Sequence, residues 1–190
     1  PLDLRLELRV ALRPDHHPLA SCQGDEVHEP APCVVLGALH EVEHFRELRD
    51  LLREKGGSEI WKNHRAKIES QRRYQILDNS FADVKMNRSV VSRSPSLAET
   101  RKKLYTDDLF VERDLTALPK HLQFAHILNC ENQETGEEWI VAPDVREAMR
   151  EVKEICGKIT GMPLVEYATN PEISMSMRLR LQEARIEPIY

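Results

Sequence analysis

Apolar and polar residues alternate in two stretches that lie near the two ends of the chain. In LDLRLELRV, residues 2–10, every second side chain is apolar, which predicts a half-buried β-strand. ISMSMRLRL, residues 173–181, alternates in the same way, but Ile173 and Met177 also lie one helical turn apart. We favour a strand for this second stretch and keep a helix as the alternative.

Helical spacing is clearest in the segment PDVREAMREVKEICGKITG, residues 143–161, where apolar side chains recur every three or four positions. A second helix is predicted from Glu47 to Lys55, with two glycines directly after it to end it. A third is predicted to begin at Ser58 and to continue to about Leu77.

Four short apolar runs are interpreted as further strands because they are brief and rich in β-branched or aromatic residues. The segment 79–95 is polar and irregular, which indicates a linker. The order of elements predicts an α+β fold, with an N-terminal module over 1–78, the linker, and a mixed α/β extension over 96–190. The four runs are PCVVLG (32–37), HLQFAHILNC (121–130), EEWIVA (137–142) and PLVEYA (163–168).

Composition is that of an ordinary soluble globular protein, with 41% hydrophobic and 31% charged residues in a chain of 190. No apolar run approaches the roughly 18 residues that a membrane helix needs, so no transmembrane segment is expected. Cys22, Cys33, Cys130 and Cys156 are irregularly spaced, which favours reduced thiols in an intracellular compartment over a Cys22–Cys33 disulfide.

Charge is unevenly distributed along the chain. Residues 62–103 contain 11 Lys and Arg against 4 Asp and Glu, a net charge of +7. Because the whole chain has a net charge of −5, the residues outside this segment carry −12. This segment is a candidate docking surface for an acidic partner or RNA, and the alternative is a solvated helix face. The candidate interaction residues are Lys62, Arg65, Lys67, Arg72, Arg73, Arg101, Lys102 and Lys103.

The stretch ALHEVEHF, residues 38–45, contains the H-E-x-x-H pattern of zinc peptidases. On a helix, His40 and His44 would lie on one face and could share a zinc ion, and Glu41 would activate a metal-bound water. This interpretation requires that the segment be helical.

Three features favour a framework strand instead. Glu43 lies where such a helix normally packs against its domain, and the β-branched lead-in of residues 32–37 suggests a strand. No third ligand is evident, since His64 and Glu69 are the only candidates and each has an ordinary explanation. On a strand the histidines would be about 13 Å apart, which is too far for them to share one zinc ion. No metal and no other cofactor is therefore predicted. A zinc site remains the alternative.

Several small motifs follow one another over about the first 80 residues. They are the segment LELRVALRP, Leu6 to Pro14, and then Gly37, Leu39, Val42, His44, Trp61, Ser70, Gln71, Ile76 and Leu77. Their order resembles that of the NIPSNAP family, although Leu6 stands in place of the tyrosine of the family's opening strand. The resemblance implies a ferredoxin-like module of the dimeric α+β barrel type, found in mitochondrial proteins that act by interaction.

The function expected from the sequence is that of a non-catalytic structural or accessory subunit in a larger assembly, which the resemblance implies to be mitochondrial. Other protein subunits or a second copy would be its partners, because the apolar face of residues 2–10 needs a cover. The alternatives are an H-E-x-x-H zinc-dependent hydrolase and an RNA-contacting subunit that uses residues 62–103. His126 and Cys130 lie in an apolar run, which favours core packing over a nucleophile and base.

Overall fold

The structure, a computed structural model, describes residues 32–109, 111–131 and 139–190, and residues 32–190 group as one compact unit. Helices account for most of the described residues. Short 3₁₀ and π-helical turns at Pro95–Leu97, Leu104–Leu109 and Gln182–Ile186 extend some of them. The α-helices are α1 (Pro32–Arg53), α2 (Gly57–Ser70), α3 (Arg72–Arg93), α4 (Ala98–Lys103), α5 (Lys120–Glu131), α6 (Pro143–Thr160), α7 (Leu164–Thr169) and α8 (Met175–Leu181).

The predicted α+β, ferredoxin-like fold is wrong for the described residues, which form an all-helical unit. PCVVLG begins α1, HLQFAHILNC forms most of α5, and PLVEYA contributes to α7. ISMSMRLRL contains α8, so the helical alternative was the right one there. The only β feature in the described ranges is an isolated bridge between Asp114 and Ile140. The predicted strand at 2–10 lies outside the described residues.

Helix α3 is the centre of the unit and contacts α1, α2, α5 and α7. It includes nearly all of the segment 79–95, which was wrongly predicted to be an irregular linker. Phe81, Val84 and Met86 from this segment are each at most 2% exposed. Burial of three large apolar side chains explains why a segment with many polar residues is helical and central.

The main core joins α3 to the helices of the C-terminal half. Leu77 and Phe81 of α3 pack with Leu128 of α5 and with Val152 and Cys156 of α6. Helix α6 confirms the prediction for 143–161, since it begins at a proline and ends at Gly161, whose φ of 71° suits a glycine C-cap.

The turn between α1 and α2 depends on two consecutive glycines. Gly56 has a φ of 79°, which residues with a side chain rarely adopt. A Cβ atom at Gly57 would lie 1.8 Å from the carbonyl oxygen of Leu51. The two helices can therefore meet at this angle only with glycine at position 57.

Among the described helices, none is both long enough and apolar enough to cross a bilayer. This agrees, for those residues, with the expectation from hydropathy.

Candidate metal centre

Helix α1 carries the H-E-x-x-H segment, so the predicted framework strand is wrong. One helical turn separates His40 from His44, and their Nε2 atoms lie 2.9 Å apart. The two rings meet edge to face with centroids 4.7 Å apart. The condition that the metal interpretation required, a helix, is met.

Asp83 of α3 completes a group of three possible ligands. Its Oδ1 atom lies 3.0 Å from His40 Nε2 and 3.4 Å from His44 Nε2. In the described residues, His40, His44 and Asp83 are the one group of three such side chains whose ligand atoms converge within 4.8 Å. The objection that a third ligand is missing is therefore also wrong, and neither His64 nor Glu69 supplies it.

Asn87, one turn after Asp83 on α3, orients the ring of His40. His40 Nδ1 lies 3.0 Å from Asn87 Oδ1, while the amide nitrogen of Asn87 donates to the hydroxyl of Tyr105. With the amide oxygen turned to the ring, Nδ1 carries the proton and donates it to Asn87. In the neutral ring the Nε2 atom then presents its lone pair to the other two ligands, which is the tautomer that binds a metal.

Hydrogen bonds can satisfy the three converging atoms in one way. Asp83 Oδ1 can accept a hydrogen bond from each ring if both Nε2 atoms carry a proton, and since Nδ1 of His40 already donates to Asn87, His40 would then carry a positive charge. With both rings neutral, a cation at the common centre would be attracted by all three atoms at once. The arrangement is thus compatible with metal ligation by neutral histidines.

The three separations suit a first-row divalent ion. Ligands at about 2.0 to 2.1 Å from zinc lie about 3.3 Å from one another in a tetrahedron and about 3.0 Å apart in an octahedron. The observed edges of 2.9, 3.0 and 3.4 Å span these values. Small adjustments of side-chain torsions would suffice to admit an ion.

The site is buried on one side and exposed on the other. The side chain of His40 is 7% exposed, whereas those of His44 and Asp83 are 27% and 30% exposed. Three ligands leave a further coordination position, and the exposed side gives water or a substrate access to it.

Both glutamates of the motif have positions that fit this arrangement. Glu41 is exposed and precedes His44 by three residues, which places the two side chains next to each other on the helix surface. Glu43 is buried as expected for its position, but it pairs with Arg46, accepts a hydrogen bond from Ser89 at 2.8 Å, and lies 3.4 Å from Arg93. Its burial is therefore compensated and does not count against the helix.

His64, the other candidate ligand, belongs to a separate buried cluster. Its Nδ1 lies 3.1 Å from Glu183 and its Nε2 lies 3.3 Å from Asp78. Burial opposes the charged ring, but the hydrogen bonds and charges of Asp78 and Glu183 outweigh it and raise the pKa of His64. Glu69 pairs with Arg65 on the surface, at 2.6 Å.

The candidate interaction residues fall into two separate groups. Lys62, Arg65, Lys67, Arg72 and Arg73 lie near the start of α3, whereas Arg101, Lys102 and Lys103 lie on α4, beyond its other end. A 22-residue helix is about 33 Å long, so the described structure does not bring the two groups into one patch. Lys67 also pairs with Glu187, which reduces the charge it offers to a partner.

A groove of about 710 Å³ lies between α1, α3 and the segment from α7 to α8. It is lined by charges of both signs, among them Glu47, Asp50, Lys85 and Arg88, and none of the three converging ligands lines it. A molecule bound there would not touch the candidate metal centre.

His126 and Cys130 lie one turn apart on α5, both buried, which agrees with the core packing expected for them. Burial and the charge of Arg113 lower the pKa of His126 to about 4, so its ring is neutral at pH 7. Its ring packs edge to face on Trp139, at 4.6 Å.

Comparisons with models of protein families, with curated proteins and with solved structures found no match for this chain. The resemblance to the NIPSNAP family therefore stays a prediction.

Proposed function

We propose that this protein binds one zinc ion through His40, His44 and Asp83 and uses it to hydrolyse a substrate. The observation that carries the proposal is the convergence of two imidazole nitrogens and one carboxylate oxygen from two different helices. Two nitrogens and one oxygen form a ligand set that catalytic zinc sites use, with a fourth position left for water.

The hydrolytic part of the proposal follows from the exposed side of the site and from Glu41. A zinc ion lowers the pKa of a bound water to about 7, so that hydroxide is available at neutral pH. Glu41, adjacent to His44 on the helix surface, would accept the proton of this water. His40, held by Asn87, would keep the ion in a fixed position during the reaction.

Metal analysis of the purified protein tests the binding site. We expect about one zinc per chain by plasma mass spectrometry, and loss of that zinc in His44→Ala and in Asp83→Ala. Asp50→Ala, a change of an exposed carboxylate on the same helix as the histidines, is the control and should retain the zinc. A wild-type protein without stoichiometric metal after dialysis against zinc would refute the site.

Iron in place of zinc would contradict hydrolysis, because two histidines and one carboxylate also form the ligand set of iron oxygenases.

Activity of the zinc-loaded protein tests the role of Glu41. A panel of fluorogenic peptide amides should be cleaved by the wild type and not by Glu41→Gln, while both proteins keep equal zinc. Equal rates for the two would show that Glu41 is not the base. No zinc-dependent cleavage of any member of the panel would contradict peptide hydrolysis.

A second candidate function is that of a contact subunit, as the sequence analysis expected. It is favoured by four apolar side chains, Val34, Val42, Phe45 and Leu52, that α1 exposes to solvent. A mitochondrial location and RNA contact rest on the sequence alone. Fractionation of cells, and RNA binding that weakens steeply with added salt, would test these two proposals.

A further inference from the structure

Helix α1 has an unusual distribution of polarity around its axis. Its inward face carries His40 and Glu43, each 6% exposed, although charged and polar residues are costly to bury. The same inward face also buries Leu36 and Leu51, and the outward face carries large apolar side chains as well, with Val34, Val42 and Phe45 exposed by 60%, 41% and 71%. The metal centre explains the inward histidine, but it does not explain the outward apolar residues.

The exposed apolar residues lie on one stripe that a single charged residue interrupts. At about 100° per residue, Val34, Val42, Phe45 and Leu52 fall within an arc of about 80°, and the exposed residues Ala38 and Arg49 lie in the same arc. The stripe follows the helix for 18 residues, or about 27 Å. A stripe of this width and length is what a second helix covers in a helix pair.

The spacing of the four residues is nearly the same in both directions. Their intervals are 8, 3 and 7 residues from the N-terminal end, and 7, 3 and 8 from the C-terminal end. In an antiparallel pair of identical helices, Val34 of each copy would therefore lie opposite Leu52 of the other, and Val42 opposite Phe45. A two-fold interface requires such self-complementarity, whereas an unrelated partner does not.

Charges and small residues are compatible with the same register. Arg49 of one copy would lie opposite Gly37 and Ala38 of the other, so no like charge faces it across the pair. The small side chain of Ala38 would leave room for that of Arg49 between the two helices. His44 lies about 80° around the helix from the nearer edge of the stripe, which leaves this ligand outside the contact, whereas Glu41, about 20° from that edge, borders it.

We infer that α1 pairs antiparallel with α1 of a second copy of this chain. A second copy of the chain would thus be the partner in the second candidate function, that of a contact subunit. The pairing does not depend on metal binding. A single helix pair lies at the lower end of specific interfaces, below about 1,200 Å² in total, so a concentration series is needed to detect the dimer.

Sedimentation of the full chain at a series of concentrations tests whether the stripe is a dimer contact. Between about 1 and about 200 μM, the mass of the wild type should rise from 22.0 kDa towards twice that value. Phe45→Glu should remain monomeric, because it would bury a charge in the pair. Ile159→Glu, a change of an exposed residue on α6, is the control and should dimerise like the wild type. A wild type that is monomeric throughout, or that loses dimerisation equally in both variants, overturns the inference.

Engineered cysteines test the antiparallel register. In a Cys22→Ser, Cys33→Ser background, the double variant Val34→Cys, Leu52→Cys should form a disulfide-linked dimer on mild oxidation. Val34→Cys alone should not, since the two Val34 positions lie about 27 Å apart in the antiparallel pair. A dimer linked equally well by the single variant would show a parallel pair and refute the proposed register.

Discussion

At the scale of single residues, the amide of Asn87 decides which nitrogen of His40 faces the other two ligands. Asn87 is 3% exposed, and its other hydrogen bond goes to Tyr105, which lies in a π-helical turn. An amide fixed at both ends cannot rotate without losing a buried hydrogen bond. The metal affinity of the centre should therefore depend on a residue that does not touch the metal.

Replacement of this amide should weaken zinc binding without removing a ligand. We expect Asn87→Leu to lower the affinity by about 10- to 100-fold, as loss of a partner to a metal-bound histidine usually does. Asn87→Asp keeps an acceptor for Nδ1 and should bind zinc much more tightly than Asn87→Leu. Competition with a chromophoric chelator would measure both affinities, and Asn63→Leu, at an exposed position, is the control. Equal affinities for the two Asn87 variants would contradict the orienting role.

The sequence predicted part of this centre at the residue scale. His40, Glu41 and His44 are recognisable from their spacing, but the predicted strand, the charged Glu43 and the lack of an evident third ligand turned the prediction away from metal. Asp83 was missed because it is 39 residues beyond His44, in a segment whose polar composition indicated a linker. No local pattern marks an aspartate as a ligand when its partners come from another helix.

At the scale of elements, burial overrode the local signals on which the strand predictions depended. The apolar run in α5 is buried on nearly every side between α3 and α6, so it lacks the one-sided periodicity of a surface helix. The β-branched Val34 and Val35 lie in the first turn of α1, where propensity costs little. The regular periodicity of α6 was predicted correctly because one of its faces is exposed.

Replacement by alanine should have opposite effects on stability at Gly37, in α1, and at Gly57, the first residue of α2. Gly57→Ala should destabilise the unit, because its Cβ would clash with the carbonyl oxygen of Leu51 and force α1 and α2 apart. Gly37→Ala, on the exposed side of α1 with nothing within 4 Å, should stabilise it by about 1 kcal/mol. Urea unfolding of each variant would measure the change in free energy of unfolding. A neutral or stabilising Gly57→Ala would show that the turn is not constrained as described.

At the scale of the whole molecule, one buried histidine joins three separate parts of the chain. His64 of α2 contacts Asp78 of α3 and Glu183 of the C-terminal π-helical turn. Asp78 is buried, which opposes its ionisation, but its hydrogen bond to His64 and the charge of His64 outweigh this and lower its pKa. The two shifts favour an ion pair at mildly acidic pH.

The stability of the unit should therefore depend on pH through His64. Because its pKa is raised on folding, its contribution is complete below about pH 6.5 and is lost as the pH rises through the folded value. The contribution of Asp78, whose pKa is lowered, is present above about pH 3.8 and is lost only in stronger acid. The difference in urea midpoint between wild type and His64→Gln should thus shrink from pH 6 to pH 9.

Glu183→Gln provides an independent check on this pH dependence. Removal of one of the two carboxylates should move the fall in stability to a lower pH, while the pairing with Asp78 remains. A difference between wild type and His64→Gln that is constant over the whole range would contradict the linkage.

With zinc bound as proposed, the three candidate ligands would also report on the tertiary structure of the protein. His40 and His44 are near neighbours in sequence, and any helical fragment of α1 would keep them together. Asp83 joins them only when α3 is docked against α1, so an opened chain retains two of three ligands and releases the ion more readily. The concentration of free zinc in solution would then follow the population of molecules in which α1 and α3 have separated, whatever force or partner separates them.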